Sequence, residues 1–110
     1  MFEVFQSATD GKHYFRLKAE NCETILTGQG YAQRRSCLRG IRSVKKNAVQ
    51  AAQFDQMTSN DGRLYFVLRA ANTQVIGRSQ QYDSVDGIKV GIESVMQNAP
   101  QSDVKVVSEA

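Results

Sequence analysis

Apolar and polar residues alternate along two stretches of the chain, residues 12–19 and residues 63–70. The first reads K-H-Y-F-R-L-K-A and the second reads R-L-Y-F-V-L-R-A, so one face of each is largely apolar while the other carries tyrosine and basic side chains. This alternation is typical of a strand with one face in a core and the other toward solvent. We therefore expect both stretches to be antiparallel strands covering one side of a core.

Further short runs predict the remaining strands of the sheet. Asp10-Gly11 and Asp61-Gly62 are dipeptides typical of hairpin turns, so each predicts a tight connection between two strands. The runs that we interpret as strands are residues 2–6, 23–27, 54–58, 74–76 and, at the C-terminus, 104–107.

Two segments change to helical spacing, at about residues 33–47 and 85–98. Their apolar residues recur at intervals of four, three and four, which places them within an arc of roughly 60° on a helix. Asp83 or Ser84 is suited to cap the second helix, and Pro100 is suited to end it. The two stripes are Cys37, Ile41, Val44 and Ala48, then Ile88, Ile92, Val95 and Ala99.

The second half of the chain repeats the first. When residues 10–48 are shifted by 51 positions onto residues 61–99, about 16 of about 39 positions are identical. One repeat of about 50 residues buries too little apolar surface to be stable alone, so the repeats are expected to share a core. We expect a single pseudo-twofold domain over residues 1–110, with repeat one at 1–51 and repeat two at 52–110.

These patterns together predict an α+β fold. Tandem β-β-β-α repeats would form one shared antiparallel sheet, with both helices on one face and a short C-terminal strand. The helices are expected on that face because each has one apolar stripe and the sheet has one apolar side.

Charge distinguishes the two repeats more than apolar content does. The net charge is +3 overall, but residues 1–51 carry nine Lys/Arg and four Asp/Glu, whereas residues 52–110 carry five and seven. No stretch approaches the ~20 apolar residues of a membrane span, so no membrane partner is expected. The N-terminus has an early acid and no apolar segment like that of a signal peptide, and we expect a cytoplasmic protein.

No residue pattern indicates catalysis, a cofactor or a metal. The only histidine, His13, has no nucleophile beside it in a recognised motif, and it is expected on the inner face of its strand. Cys22 and Cys37 are too few for a disulfide framework and lack metal-site spacing. Cys37 is expected to be a small buried side chain and Cys22 a turn residue, with any redox role left open. We predict that the protein is not an enzyme.

Two surfaces are candidates for binding nucleic acid or another anion. The outward face of the two long strands interleaves aromatic and basic side chains, which suits stacking on bases and contact with phosphates. One side of the first helix is basic, which suits an anionic partner, although such a surface is commonly only a solvated face. The strand candidates are Tyr14, Arg16, Lys18, Tyr65 and Arg69, and the helix candidates are Arg35, Arg39, Arg42 and Lys46.

The chain resembles the YegP-like family of small bacterial proteins (domain of unknown function 1508, UPF0339). The resemblance rests on Asp-Gly-Lys, Tyr-Phe-x-Leu-Lys-Ala, Asn-x-Glu-Thr-Ile-Leu, Gly-Gln-x-Tyr and Gly-Ile-x-Ser-Val-x-x-Asn in repeat one, with matching residues in repeat two. The family usually has glycine after the asparagine of the second turn, where this chain has Cys22 and Thr73.

The resemblance implies tandem three-strand-plus-helix units that share one sheet and exchange C-terminal strands. Family members with one unit pair as homodimers, so a two-unit chain is expected to be a monomeric pseudo-dimer. The family brings no activity or catalytic residues. We therefore expect a non-catalytic interaction or structural module, with nucleic-acid or anionic-ligand binding as the alternative, and protein or nucleic acid as possible partner classes.

Overall fold

The computed structural model describes residues 1–107. Three strands and a helix are followed by three more strands, a second helix and a final strand, in the order expected. A short 3-10 turn follows each helix, at Ala51–Gln53 and Ala99–Gln101. The principal elements are β1 (Phe2–Gln6), β2 (His13–Lys18), β3 (Thr24–Thr27), α1 (Arg34–Asn47), β4 (Phe54–Thr58), β5 (Leu64–Arg69), β6 (Val75–Arg78), α2 (Val85–Asn98) and β7 (Val104–Val106).

The predicted α+β fold is confirmed. All seven strands form one sheet in the order β4-β5-β6-β3-β2-β1-β7. Each repeat contributes an antiparallel three-stranded unit, and the units meet at the centre, where Thr27 of β3 pairs with Arg78 of β6.

The sheet is mixed rather than wholly antiparallel, because β7 runs parallel to β1. Phe2 pairs with Val104 and Val4 pairs with Val106, while the other strand pairings are antiparallel. The turn after α2 brings Asp103 beside the start of β1, where the Phe2 N–H donates to the Asp103 carbonyl at 2.9 Å. From that position the chain can follow β1 only in the same direction. The C-terminal strand thus leaves repeat two and completes repeat one.

Both helices cover one face of the sheet. α1 contacts β1, β2, β5 and β6, and α2 contacts β3 and β5, so each helix packs on strands of both repeats. The inward side chains of the strands and the two predicted helix stripes form one hydrophobic cluster between the layers. Neither α1 nor α2, nor any other helix within residues 1–107, is long and apolar enough to cross a bilayer.

Candidate anion-binding surfaces

The strand residues named from the sequence lie together on the side of the sheet away from the helices, which we call the open sheet face. The alternation that buries Phe15 and Leu17 of β2 turns their neighbours outward. On β5 it does the same for Tyr65 and Arg69, although Val67 between them is buried. These outward side chains are all half-buried: Tyr14, Arg16, Lys18, Tyr65 and Arg69.

A carboxylate on β1 neutralises the first two cations of the open sheet face. Glu3 lies opposite Arg16 in the β1–β2 register, and its Oε1 accepts from Arg16 Nε at 2.8 Å. The same oxygen lies 3.4 Å from Lys18 Nζ. The hydrogen bond from Arg16, with a further contribution from Lys18, lowers the pKa of Glu3, so this carboxyl stays ionised beside both cations.

The rest of the open sheet face is similarly paired. Arg69 Nε donates to Asp55 on β4 at 2.5 Å. The Tyr14 hydroxyl donates to Asp10, and this bond lowers the pKa of Asp10 and raises that of Tyr14. The guanidinium of Arg78 lies 4.2 Å from the centre of the Tyr65 ring. Every candidate on the open sheet face therefore already has a partner: an acid for each cation and for the Tyr14 hydroxyl, and the Arg78 guanidinium for the Tyr65 ring.

The four cations named on α1 form a separate surface on the other side of the molecule. They follow one another at intervals of four, three and four residues, so they lie in one row along the solvent side of the helix. All four are exposed: Arg35, Arg39, Arg42 and Lys46. We call this row the basic row of α1.

Two further cations of α1, Arg34 and Lys45, lie beside this row on the side nearer the edge of the sheet. Arg34 lines an open groove of about 670 Å³ together with Val4 and Val106, and Lys45 Nζ lies 5.8 Å from the centre of the Phe2 ring. Within residues 1–107, none of the six α1 cations forms an ion pair with a carboxylate.

The start of α1 adds to this unbalanced positive charge. The side chain of its N-cap residue, Gln33, makes no capping hydrogen bond, and its first turn holds two arginines and no acid. α2 is conventional by comparison, since Ser84 Oγ accepts from the Gly87 N–H at 3.0 Å and Asp86 lies in the first turn. Because a helix N-terminus carries partial positive charge, the first turn of α1 is electrostatically unfavourable as it stands.

The internal repeat shows that the fold does not require this charge. The positions of α2 that match the six α1 cations hold no basic residue at all: Val85, Asp86, Val90, Glu93, Met96 and Gln97. Both helices nevertheless pack on the same sheet through equivalent stripes.

Sequence reasoning named the right outward cations but missed their partners. The acids that pair with them are the second residues of β1 and β4. Glu3 lies opposite Arg16 in the register, whereas Asp55 lies opposite Val67 and reaches Arg69 diagonally. Alternation along residues 2–6 already places Glu3 on the outward face, so this signal was present. The cation with which Glu3 pairs, however, depends on the register between β1 and β2, which alternation alone does not give. Arg78 is a further outward cation that the sequence analysis did not select.

Comparison with known proteins gives a consistent family assignment. A family model described as a domain of unknown function (DUF1508) matches the chain twice, over residues 8–55 and 59–105. The chain is 43% identical over 106 residues to the "UPF0339 protein in ptx operon 5'region" of Stutzerimonas stutzeri, covering 96% of this chain and 93% of that one. It is 41% identical over 104 residues to UPF0339 protein YegP of Escherichia coli K12, covering 94% of each chain.

Two solved structures share the whole architecture. The solution NMR structure of UPF0339 protein SO3888 from Shewanella oneidensis matches with a TM-score of 0.88 and 36% identity, over 97% of this chain and 90% of that chain. The solution NMR structure of E. coli yegP, titled a protein of unknown function, matches with a TM-score of 0.91 and 39% identity, over 99% and 93%. With two matched repeats, relatives of about 40% identity and these structures in agreement, the chain belongs to the UPF0339 family and is built from two DUF1508 repeats.

Proposed function

We propose that the protein is a non-catalytic binding module of the cytoplasm whose basic row of α1 binds the phosphate backbone of nucleic acid. One observation carries the proposal. α1 holds six cations without a carboxylate partner in residues 1–107, on a helix whose counterpart in the same chain has none at the matching positions.

The spacing of the row suits a polyanion rather than a single small anion. Arg35 and Lys46 are eleven residues apart, which corresponds to about 17 Å along a helix. The Cβ atoms of neighbouring cations in the row are roughly 5–6 Å apart. A nucleic-acid strand, with phosphates regularly spaced along it, offers several contacts over that length.

Local stability argues in the same direction. Mutual repulsion among the cations and the uncapped, arginine-rich first turn both weaken α1, and a bound anion would relieve both effects. Positions at which a sequence departs from local consistency are commonly functional. The open sheet face is the weaker candidate because its acids already partner Arg16, Lys18 and Arg69.

Two further observations support the other parts of the proposal. Both cysteines carry free thiols, and disulfides are rare in cytosolic proteins, which agrees with a cytoplasmic location. The non-catalytic role rests on the sequence, in which the only histidine, His13, stands in no recognised catalytic motif.

The test is binding of fluorescently labelled single-stranded and duplex RNA and DNA, followed by anisotropy at about 50 mM and about 200 mM salt, since backbone contacts release counterions. We expect affinity that falls steeply with salt. Arg39→Gln/Arg42→Gln should reduce the slope of log K against log salt by about 1.4 to 1.8, which corresponds to two lost phosphate contacts.

A matched variant removes the same charge from the other surface. Arg16→Gln/Lys18→Gln on the open sheet face should leave the salt slope almost unchanged. Conversely, Val90→Arg/Glu93→Arg installs in α2 the cations found at the matching α1 positions and should raise affinity. Equal losses in the two double mutants would show that net charge alone is responsible. No binding at low salt would refute the nucleic-acid assignment.

A further inference from the structure

The internal repeat reveals an unoccupied edge at one end of the sheet. β1 and β4 are equivalent strands, because Phe2 pairs with Leu17 and Phe54 pairs with Leu68, one repeat later. The outer edge of β1 is covered by β7, whereas within residues 1–107 no strand pairs with the outer edge of β4. The asymmetry has a topological cause: the segment that follows α1 becomes β4 itself, so none is left to cover it.

The exposed backbone groups of β4 have the geometry that β7 uses at β1. In an antiparallel pair, alternate residues direct their N–H and C=O toward the partner strand and the rest direct them away. The inward bond from the Ser59 N–H to the Arg63 carbonyl, at 2.8 Å, sets this alternation for β4. By this alternation, the N–H and C=O of Gln56 point away from β5. The same groups of Val4 point away from β2, and the Val4 carbonyl accepts from the Val107 N–H at 2.8 Å.

One outward group of β4 is already satisfied within the chain. The Phe54 N–H donates to the Ala51 carbonyl, whereas the Phe2 N–H of β1 donates to the carbonyl of Asp103, the residue just before β7. The Phe54 carbonyl and both backbone groups of Gln56 remain for an added strand. These are three of the four groups that a β7-like segment would engage by analogy with β1.

The side chains around this edge indicate what such a segment would contain. At β1, Lys105 of β7 lies opposite Glu3, and Asp55 stands at the position of β4 equivalent to Glu3. Val106 lines a groove with Arg34 of α1. The residue of α2 that matches Arg34 is Val85, which is 48% exposed. An added strand would therefore meet an acid on one face and an apolar side chain on the other.

We infer that the outer edge of β4 is a strand-addition site for an extended segment of another protein. The segment runs parallel to β4 and carries apolar, basic and apolar residues in succession. Main-chain hydrogen bonds to Phe54 and Gln56 supply register, as at other β-augmentation sites. Asp55, which also pairs with Arg69, lies opposite the central cation, as Glu3 with its two cations lies opposite Lys105, and Val85 contacts an apolar side chain. β7 occupies the equivalent edge of β1, and its sequence is the template for the proposed segment.

The test uses the full chain, labelled with 15N, and a blocked synthetic peptide with the sequence of residues 102–107, Ser-Asp-Val-Lys-Val-Val. A short peptide on one edge is expected to bind with a dissociation constant on the order of 1 mM, so the titration extends to several-fold above that. We expect shifts and slowed hydrogen exchange centred on the Gln56 amide.

Matched variants locate the site. Gln56→Pro removes the outward N–H on an edge strand, where proline is tolerated, and should weaken binding at least about tenfold. Gln56→Ala keeps the N–H and should change binding less than about twofold. A peptide with glutamate in place of its lysine should bind at least about tenfold more weakly. Circular dichroism of each variant verifies that the fold is retained.

Three outcomes would overturn the inference. Shifts confined to Phe2 and Val4 would mean that the peptide displaces β7 from β1. Protection of Gln56 without peptide, together with a doubled mass by sedimentation, would assign the β4 edge to a second copy of the chain. Absence of any shift in the titration would show that β4 accepts no such strand.

Discussion

Two residues that lack the freedom of glycine hold the tight turns after β2 and β5. Cys22 and Thr73 adopt φ values of 68° and 71°. The Cys22 N–H donates to the Ala19 carbonyl, and the Thr73 N–H donates to the Ala70 carbonyl, both at 2.9 Å, which fixes these conformations. A positive φ is unfavourable for most residues and especially for a β-branched one. Both turns thus contain a positive φ, which glycine adopts without strain, although neither position is a glycine.

Replacing Thr73 with glycine should therefore stabilise the protein. The expected gain in the free energy of unfolding is about 1 kcal/mol, because relief of backbone strain outweighs the added entropy of the unfolded chain. Urea denaturation measures the change. Ala71→Gly is the control in the same turn: its φ is not positive, so it should destabilise slightly. A loss of stability in Thr73→Gly would contradict this account.

Cys37 lies fully buried on the inner stripe of α1, and its burial raises the pKa of its thiol from 9.0 to about 11. The unfolded chain ionises this thiol at a lower pH than the folded protein does. The contribution of the buried, neutral Cys37 thiol to the free energy of unfolding is therefore complete below pH 9. It declines as the pH rises toward about 11. Denaturation at several pH values should show this decline, and the Cys37→Ala variant should lack the pH dependence that Cys37 causes.

A thiol reagent at pH 8 should label exposed Cys22 before buried Cys37.

At the scale of elements, each helix is held by the tyrosine that precedes it. Tyr31 and Tyr82 bridge to the first residues of β2 and β5 through paired backbone hydrogen bonds. Their hydroxyls reach Gly40 and Gly91, where an added Cβ would overlap them. The recurring glycine in each helix is explained by this approach of a loop tyrosine.

Gly40→Ala should accordingly destabilise the protein, although alanine favours an isolated helix by about 1 kcal/mol. Overlap with the Tyr31 ring should lower the free energy of unfolding by about 1–3 kcal/mol. Tyr31→Phe removes the atom nearest the new Cβ, so the double variant Gly40→Ala/Tyr31→Phe should recover part of the loss. Additive effects of the two substitutions in thermal or urea unfolding would disprove the contact explanation.

At the scale of the whole molecule, the two repeats have become complementary rather than identical. Leu26 of β3 is fully buried, and its equivalent in β6 is Gly77. A Cβ at Gly77 would lie 2.7 Å from Cδ2 of Leu26. One repeat therefore supplies the side chain, and the other supplies the space that it fills, at the centre of the sheet where the units join.

Exchange of these two residues tests that complementarity. Leu26→Gly should cost several kcal/mol through cavity formation, and Gly77→Leu should cost about 1–3 kcal/mol or more through overpacking. The double variant restores a leucine opposite a glycine in pseudo-symmetric positions. Its loss in free energy of unfolding should be smaller than the sum of the single losses by at least about 1 kcal/mol. Strict additivity would mean that the two positions are not coupled.

The regular elements were predictable because each depends on neighbours in sequence. The alternation in residues 12–19 and the helical spacing from Cys37 to Ala48 each reveal which side of an element is apolar. The candidate sites were predictable only as lists of outward-facing cations and tyrosines. Pairing of Arg16 with Glu3 and of Arg69 with Asp55 requires strand register across residues 13 and 14 positions apart, which a one-dimensional pattern does not contain.

By itself, the sequence determined the duplication, the six strands and two helices of the repeats, and the apolar faces that bring both helices to one side. The spacing of apolar residues depends only on neighbours in the sequence, so it can be recognised without knowledge of the fold. Tertiary structure alone decided that β7 runs parallel to β1, that β4 keeps an open edge within residues 1–107, and that acids among these residues neutralise the open sheet face but not α1. These features depend on which distant segments meet, and backbone hydrogen bonds and packed side chains select those partners only when the whole chain is assembled.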